Sequence, residues 1–422
     1  MIRRAAFALA LVAAPAQASG LYVEAGALLD VESGELRTGQ CLAIEGERIA
    51  RVEPCGVAPE GAERVNWSAF TVLPGLIDLH THLADTGQSA DLAAPIKTSP
   101  AATALIGAHN ARVTLEAGFT TVRDVGTYRG LTDVALRDGI AAGHVPGPRM
   151  FVAGAYLTHP GGGGELNGVV PNEELPADMR LGVLRGEAQA AEKAALMLDG
   201  GVDFLKLMAT GAVLAIGTEP GQPELTEAEM RTAIAVAAQR GTYATAHAHG
   251  AAGIKAAIRA GARSIEHASL IDEEALLMAR DVGVWLVMDV YNGDYIDQIG
   301  TAEGWPEEYL RKNRETTQEQ RDRFRRAVEL GVPLAFGSDA GVFPHGLNAR
   351  QFAYMVANGM TPLQAVRSAT VEAAKVLGKE GELGTLRAGA YADLIAVKSN
   401  PMEDVRVLES VAGVIKGGVV VR

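Results

Sequence analysis

Short apolar runs and longer alanine-rich runs alternate along most of the chain. Eight of the apolar runs have the length and composition of buried strands: Val72–Leu79, Thr120–Val125, Met150–Ala155, Val202–Met208, Tyr243–Ala248, Ser264–His267, Val284–Met288 and Pro333–Ser338. Helical segments predicted between them include Ala101–Ala117, Gly186–Leu198, Glu227–Arg240 and Thr316–Leu330. Each is long enough to be the crossover helix of a parallel unit, so the pattern predicts an α/β fold, a (β/α)8 barrel. An open doubly wound sheet is the alternative.

The two ends of the chain have a different pattern, in which strand-length runs are broken by turn residues. Near the N-terminus these runs are Leu21–Leu29, Cys41–Ile44 and Ile49–Val52. Near the C-terminus they are Asp393–Val397 and Val411–Arg422, and the second contains a Gly417-Gly418 hairpin signal. Both ends are therefore predicted to pair in one small β domain.

The first residues have the organisation of a secretory signal peptide. Arg3 and Arg4 form a positive region, Ala5–Ala13 is apolar, and Ala16-Gln17-Ala18 fits a small-residue cleavage site. This predicts a signal peptide over residues 1–18 and an exported protein, periplasmic or secreted. A membrane anchor or a buried helix is the alternative.

Composition narrows the class of protein further. Hydrophobic residues make up 48% of the 422 residues, charged residues make up 21%, and the formal net charge is −13. An acidic chain without a basic run is a poor nucleic-acid ligand, and no apolar stretch reaches the roughly 20 residues of a membrane span. We therefore expect no nucleic-acid partner and no membrane partner after signal cleavage. Cys41 and Cys55 are the two cysteines; export permits a disulfide between them, and two free thiols are the alternative.

Potential metal ligands follow the predicted strands at the points where these end. They occur in His80-Thr81-His82, around Lys206, in His247-Ala248-His249, in Glu266-His267 and in Ser338-Asp339. Side chains at positions i and i+2 of an extended segment point the same way, so His80 and His82 can bind one ion. Together with the other histidines and Asp339 they predict a site for Zn²⁺ or a similar divalent metal.

Lys206 is an unexpected neighbour for a metal, because an ammonium group repels cations. The conflict disappears if CO₂ converts its amine to a carbamate, which is an anionic oxygen ligand. Carbamate formation needs the neutral amine, and burial beside cations lowers the pKa of a lysine. The sequence thus predicts a carboxylated Lys206.

These segments together resemble the amidohydrolase superfamily. The resemblance rests on Pro74-Gly75-Leu76-Ile77-Asp78-Leu79-His80-Thr81-His82, the Lys206 strand, His247-Ala248-His249-Gly250, Ile265-Glu266-His267, Gly337-Ser338-Asp339 and Ala392-Asp393-Leu394-Ile395. It is strongest to the branch of Xaa-Pro dipeptidases and imidazolonepropionase-like metallo-carboxypeptidases with a bridging lysine, which has ochratoxin-hydrolysing relatives. It implies a distorted (β/α)8 barrel over residues 71–378 and a small β-sandwich built from residues 19–70 and 379–422.

The resemblance also implies a ligand arrangement for two divalent ions, expected to be Zn²⁺. His80 and His82 would hold the more buried ion with Asp339, and His247 and His267 would hold the second. The Lys206 carbamate would bridge both ions. Imidazolonepropionase itself resembles the single-metal members, which lack this lysine ligand.

The expected reaction is hydrolysis of an amide bond in a dipeptide or N-acyl amino acid. A hydroxide bridging two metals would attack the carbonyl, and Asp339 would move its proton to the leaving nitrogen. His249 is predicted to contact the carbonyl or tetrahedral oxygen, and His159 to clamp a substrate carboxylate. His345 and Tyr291 are further candidates for the pocket wall.

The sequence is also compatible with other functions. A cyclic amide or lactam hydrolase would not need His159, and a mononuclear deaminase would not need Lys206. A non-catalytic protein would have lost a ligand, whereas all six predicted ligand positions are filled. The predicted partner is a dipeptide or another small molecule, and we also expect a homo-oligomer.

Overall fold

The computed structural model of the protein describes residues 20–422. The predicted signal peptide, residues 1–18, lies outside this range. No helix in the described range is long and apolar enough to cross a membrane.

The described range contains sixteen strands and thirteen α-helices. The strands are β1 (Leu21–Asp30), β2 (Glu35–Thr38), β3 (Gln40–Glu45), β4 (Arg48–Pro54), β5 (Glu63–Pro74), β6 (Leu76–Thr81), β7 (Phe119–Asp124), β8 (Arg149–Val152), β9 (Leu205–Met208), β10 (Ala244–Gly250), β11 (Ser264–Leu270), β12 (Trp285–Val287), β13 (Leu334–Ala335), β14 (Leu394–Val397), β15 (Gly413–Lys416) and β16 (Val419–Val420). The helices are α1 (Ala94–Lys97), α2 (Pro100–Glu116), α3 (Thr132–Ala141), α4 (Gly186–Asp199), α5 (Glu227–Gln239), α6 (Ala251–Ala260), α7 (Glu273–Val282), α8 (Asn292–Tyr295), α9 (Thr301–Glu303), α10 (Glu307–Leu330), α11 (Arg350–Ala357), α12 (Pro362–Ser368) and α13 (Val371–Val376). Short 3-10 turns cover Asn172–Glu174, Ala177–Met179 and Val405–Glu409, and a π turn covers Ile296–Gly300.

Strands from both chain ends are hydrogen bonded into one mixed sheet. Its order is β16-β15-β14-β5-β1-β3-β4, with β2 paired to β1. The two ends meet where β14 runs antiparallel to β5, from Leu394 opposite Pro74 to Val397 opposite Thr71. The predicted pairing of the ends is confirmed, and Gly417-Gly418 joins the β15–β16 hairpin as expected.

The remaining eight strands form two parallel sheets. One has the order β6-β7-β8 and the other β13-β12-β11-β10-β9. Isolated parallel bridges connect them at both sides, Leu157 with Leu207 and Thr81 with Ala340. Because all neighbouring strands are parallel, their carboxyl ends lie on the same side, where the predicted ligands follow.

The first predicted strand of the parallel part, Val72–Leu79, is divided at Gly75. Its first residues complete β5 in the mixed sheet, and the rest forms β6 in a parallel sheet. A Cβ atom on Gly75 would lie 2.2 Å from Thr120 Oγ1, so the chain passes here only because the residue has no side chain. The apolar run is continuous across this division because the end of β5 and the whole of β6 are both buried. The hydrophobic pattern therefore does not reveal where one strand ends and the next begins.

Residues 289–312, which lie between the predicted strand Val284–Met288 and the predicted helix Thr316–Leu330, are largely helical. They contain α8, the π turn, α9 and the start of α10, which begins at Glu307 rather than at the predicted Thr316. The early part of α10 buries the polar residues Lys312 and Asn313 where an amphipathic pattern would place apolar ones. Lys312 Nζ donates to the carbonyl oxygens of Ala215 and Thr218 at 2.6 and 2.8 Å. Such polar burial removes the hydrophobic period that predicts a helix.

A disulfide joins Cys41 and Cys55, whose Cα atoms are 4.9 Å apart. The bond connects β3 to the residue that follows β4, and so it closes the β3–β4 hairpin at the edge of the mixed sheet. Of the two alternatives left open by the sequence, the structure has the bridge.

We expect the Cys41→Ser/Cys55→Ser variant to lose about 3 kcal/mol in the free energy of unfolding, because the bond closes a loop of about 15 residues. Denaturant unfolding without reductant measures this loss. Wild-type protein treated with reductant should lose a similar amount, and an unchanged midpoint in both samples would contradict the prediction.

Candidate metal centre

The predicted ligands come together at the carboxyl ends of the parallel strands. With His249, the predicted substrate contact, the six predicted ligands make a group of seven residues, of which six are buried and one is partly buried. They are His80 of β6, His82 after β6, Lys206 of β9, His247 and His249 of β10, His267 of β11, and Asp339 after β13. All seven line one cavity of about 1190 Å3, a volume that includes its solvent-open mouth.

His80, His82 and Asp339 form the first group of potential ligands. The Nε2 atoms of His80 and His82 lie 3.4 and 3.3 Å from Asp339 Oδ1. Each ring is held from behind through Nδ1, His80 by Glu266 Oε2 at 2.9 Å and His82 by the Gly126 carbonyl at 2.8 Å. With Nδ1 occupied, Nε2 of each ring is the nitrogen available to a metal.

His247, His249 and His267 form a second group, whose ligand atoms lie within 4.8 Å of one another. His267 also belongs to a third group with Asp289 and Asp339. The groups therefore share members and occupy one continuous region. The structure brings the predicted pair His247 and His267 together and places His249 beside them.

Lys206 lies in the same region with only 2% of its surface exposed. Its Nζ makes no hydrogen bond or ion pair with any residue between 20 and 422. Burial lowers the pKa of Lys206 to about 8. The positive charge of Arg123 also lowers this pKa, whereas the negative charge of Glu266 raises it. At that pKa about one amine in ten is neutral at pH 7, compared with about 1 in 2500 at the ordinary value.

The donor set fits divalent metal ions. Burial, followed by nearby positive charge, lowers the pKa values of His80, His247 and His249 well below the ordinary value. These imidazoles are therefore neutral, which is the form that binds metal. Neutral imidazoles, a carboxylate and a lysine amine without a partner match the nitrogen and oxygen ligands of zinc.

A buried ion pair between Arg123 and Glu266 lies next to the His80 ring. Arg123 Nη2 donates to Glu266 Oε1 at 2.8 Å, and both side chains are fully buried. Arg123 also donates to the Leu79 carbonyl at 2.7 Å and to Ser264 Oγ at 2.9 Å. Sequence reasoning assigned no role to Arg123 or Glu266, although a charged residue inside an apolar strand run is a usable signal.

Asp289 is a further potential ligand that sequence reasoning missed. Its Oδ1 accepts from Gln320 Nε2 at 3.1 Å and lies 2.9 Å from His267 Nδ1. Asn292 Nδ2 donates to both Asp289 Oδ2 and Asp339 Oδ2, at 2.5 and 3.1 Å. The available signal was an aspartate directly after the seventh predicted strand, at the edge where the other ligands lie.

Two of the predicted ligands have strained backbones. His267 and Asp339 have φ values of 68° and 61°, in the left-handed region that non-glycine residues rarely occupy. Such conformations persist where the surroundings impose them and are typical of functional sites.

Three predicted substrate contacts, His159, His345 and Tyr291, are not among the residues that line the cavity. His159 is partly buried and follows Thr158, which bridges to Val183. The ring nitrogens of His345 are buried without a hydrogen-bond partner in the described chain, and burial lowers its pKa to about 3.

Tyr291 lies in an aromatic cluster outside the cavity wall. Its hydroxyl accepts a hydrogen bond from Arg350 Nη1 at 3.1 Å, and its ring contacts Phe343 at a centroid distance of 4.9 Å. The neighbouring residues Asn292 and Ile296 line the cavity instead.

Most of the chain matches the model of one protein family. The model described as "Amidohydrolase family" matches residues 71–421. The chain belongs to the amidohydrolase family. Together with the relatives below, this makes the protein a hydrolase that acts on amide C–N bonds.

Relatives of this amidohydrolase include characterised enzymes. Ochratoxinase of Aspergillus niger is 29% identical over 429 residues, covering 97% of this chain and 88% of that protein. A crystal structure of an Xaa-Pro dipeptidase with bound methionine is 35% identical, with a TM-score of 0.90, and covers 95% of this chain and 99% of that one. A prolidase complexed with N-methylphosphonate-L-proline is 28% identical, with a TM-score of 0.87 and coverage of 95% and 99%.

We expect Asp289→Asn to lower zinc affinity about 10- to 100-fold, because the carboxylate that holds His267 becomes a neutral amide. Competition with a fluorescent zinc chelator measures the affinity. Asp138→Asn on α3, an exposed position, removes the same charge and serves as the control. Equal affinities of the two variants would exclude Asp289 from the centre.

Proposed function

We propose that this amidohydrolase uses two divalent metal ions to hydrolyse the amide bond of a dipeptide or N-acyl amino acid. The observation that carries the proposal is the clustering of two ligand groups around a buried lysine amine without a partner. The similarity to an Xaa-Pro dipeptidase, a prolidase and an ochratoxinase supports the same class of substrate.

His80, His82 and Asp339 would hold one ion, and His247 and His267 the other. A Lys206 carbamate would contribute an oxygen to both. Two such ions, when bound, lower the pKa of a water held between them and polarise an amide carbonyl. Zinc is the expected metal because imidazole dominates the donor set.

Asp339 is the proposed proton carrier. Its Oδ1 faces the two Nε2 atoms of His80 and His82, while Asn292 holds Oδ2. A carboxylate fixed in this way can accept a proton from water and deliver it to the leaving nitrogen. Protonation of that nitrogen is required because an amine anion is a very poor leaving group.

His249 is proposed to donate a hydrogen bond to the substrate's carbonyl oxygen. Its Nδ1 lies 2.9 Å from Ser269 Oγ, and its backbone N–H donates to Thr210 Oγ1 at 3.0 Å. These contacts orient the ring, and the residue lines the cavity. Nε2 is then the nitrogen available to the substrate.

A cyclic amide hydrolase remains a second candidate on one specific observation. His159, the expected clamp for a substrate carboxylate, does not line the cavity, and no arginine is among the described residues that do. A lactam, which lacks a free carboxylate, would need neither. A mononuclear deaminase is less well supported, because it would give the buried Lys206 no role.

We also infer that the two bridged parallel sheets form the predicted distorted (β/α)8 barrel, with the mixed sheet of both chain ends beside it. Export is proposed as well, and the Cys41–Cys55 disulfide supports it because such bonds persist in oxidising compartments. The homo-oligomer stays a prediction, which light scattering can check.

We expect Asp339→Asn to reduce kcat by at least about 10²-fold while the protein stays folded, because the amide cannot accept the proton. Turnover and bound metal are measured on the same preparation, since Asp339 is also a proposed ligand. Near-wild-type turnover at full metal content would reject Asp339 as the proton carrier.

The function itself is tested with a library of dipeptides that differ in the C-terminal residue, their amidated copies and a set of lactams. The protein is supplied with zinc and bicarbonate. We expect cleavage of free-carboxylate dipeptides, and the preferred last residue then defines the substrate. Cleavage of lactams alone would favour the cyclic amide reading, and cleavage of no amide despite two bound metals would reject both.

A further inference from the structure

Residues 85–92 form one wall of the cavity, directly after the ligand His82 and ahead of α2. Asp85, Gln88, Ser89, Asp91 and Leu92 from this segment line the cavity. None of them belongs to the groups of potential metal ligands. The segment is therefore placed to contact the part of a substrate that extends beyond the metals.

Asp85 is the buried charge of this wall, with 7% of its surface exposed. Its Oδ1 accepts the Thr86 N–H at 3.1 Å, and its Oδ2 accepts the Tyr128 N–H at 3.2 Å. No lysine, arginine or histidine between residues 20 and 422 forms an ion pair with it. Two backbone donors fix the direction of this carboxylate without neutralising it.

The charges of two basic residues, His82 and Arg129, act on Asp85, but both side chains pair with other carboxylates, His82 with Asp339 and Arg129 with Asp178. Arg129 Nη1 pairs with Asp178 at 3.0 Å, and its Nη2 donates to the Ile96 and Thr98 carbonyls at 2.9 and 3.1 Å. Lys97 pairs with Asp91 at 2.8 Å and so neutralises the other carboxylate of the wall. Of the two carboxylates of this wall, Asp91 thus has a cationic partner among the described residues and Asp85 has none.

A buried carboxylate without a cationic partner is unfavourable. Burial raises the pKa of Asp85 to about 6, which reflects this cost. A cationic group of a bound ligand would remove the cost and gain a charge-assisted hydrogen bond. No arginine and only one lysine, Lys206, are among the described lining residues, so few side chains of the cavity compete for Asp85.

We propose that Asp85 binds the free ammonium group of the substrate's acyl-side residue, so that the enzyme selects unblocked dipeptides over N-acyl amino acids. This inference rests on the proposed peptidase function and narrows its substrate class. The ammonium of an N-terminal residue is two bonds from the scissile carbonyl carbon. Asp85 lines the same cavity as the predicted metal ligands and follows His82 by three residues, so its carboxylate is available to such an ammonium.

The test compares alanyl-phenylalanine with propionyl-phenylalanine, which differ by the ammonium group alone. Wild-type enzyme should favour the alanyl compound at least about 10-fold in kcat/KM, since a hydrogen bond to a charged group has about that effect. Asp85→Asn should lower kcat/KM for the alanyl compound about 10- to 100-fold and leave the propionyl compound within about 3-fold. Asp138→Asn on the surface of α3 is the control for loss of one negative charge.

Two results would overturn the proposal. One is a wild-type enzyme that cleaves the propionyl compound as well as the alanyl compound. The other is an Asp85→Asn variant that loses activity equally on both, which would make Asp85 a structural residue of the wall. An unchanged unfolding temperature of the variant separates the second result from general misfolding.

Failure of the peptidase proposal can be recognised separately. If neither compound is cleaved, calorimetric titration of both into the zinc-loaded protein still decides the role of Asp85. Tighter binding of the alanyl compound to the wild type, lost in Asp85→Asn, supports the ammonium site. Equal binding of the two compounds, or no binding of either, rejects it.

Discussion

The buried contact between Arg123 and Glu266 connects parts of the protein that the chain places far apart. Arg123 belongs to β7 and Glu266 to β11, which lie in different parallel sheets. The same guanidinium holds the Leu79 carbonyl, next to His80, and Glu266 holds the His80 ring. Removal of one member of a buried ion pair costs about 3–5 kcal/mol, because the other charge is left unpaired. One contact between the sheets and the orientation of the predicted ligand His80 thus depend on the same interaction.

Burial and hydrogen bonds both affect the charges of the histidines and carboxylates in the site. Burial favours neutral imidazoles, whereas Asp289 and Asp339 raise the pKa of His267 against the effect of burial. Asn292 donates to both carboxylates and so lowers the repulsion between them. The region gathers four buried histidines, two carboxylates and a lysine. Each buried charge that lacks a counterpart there costs stability. Metal ions would supply the positive charge that the carboxylates and a carbamate require.

The sequence predicted the edge at which the ligands meet, because parallel strands place residues after their carboxyl ends on one side. For the same reason, the six predicted ligands lie together at that edge. It did not predict that Gly75 divides a strand, since a close backbone approach leaves no mark in hydrophobicity. His159 and Tyr291 were expected in the cavity from loop position alone, and loop position does not fix the direction of a side chain. Asp289 and Arg123 act through hydrogen bonds to residues far away in sequence, which the hydrophobic period does not reveal.

The pairing of β5 with β14 has a consequence for the order of events during synthesis. β5 ends at Pro74, and its partner begins more than 300 residues later at Leu394. The mixed sheet therefore stays incomplete until nearly the whole chain has left the ribosome, and contacts of such long sequence separation form slowly. Because β5 continues through Gly75 into β6, the segment that carries His80 is attached to the part that assembles last. A chain released early would thus lack the strand β14 that holds β5, the strand next to the segment that carries His80.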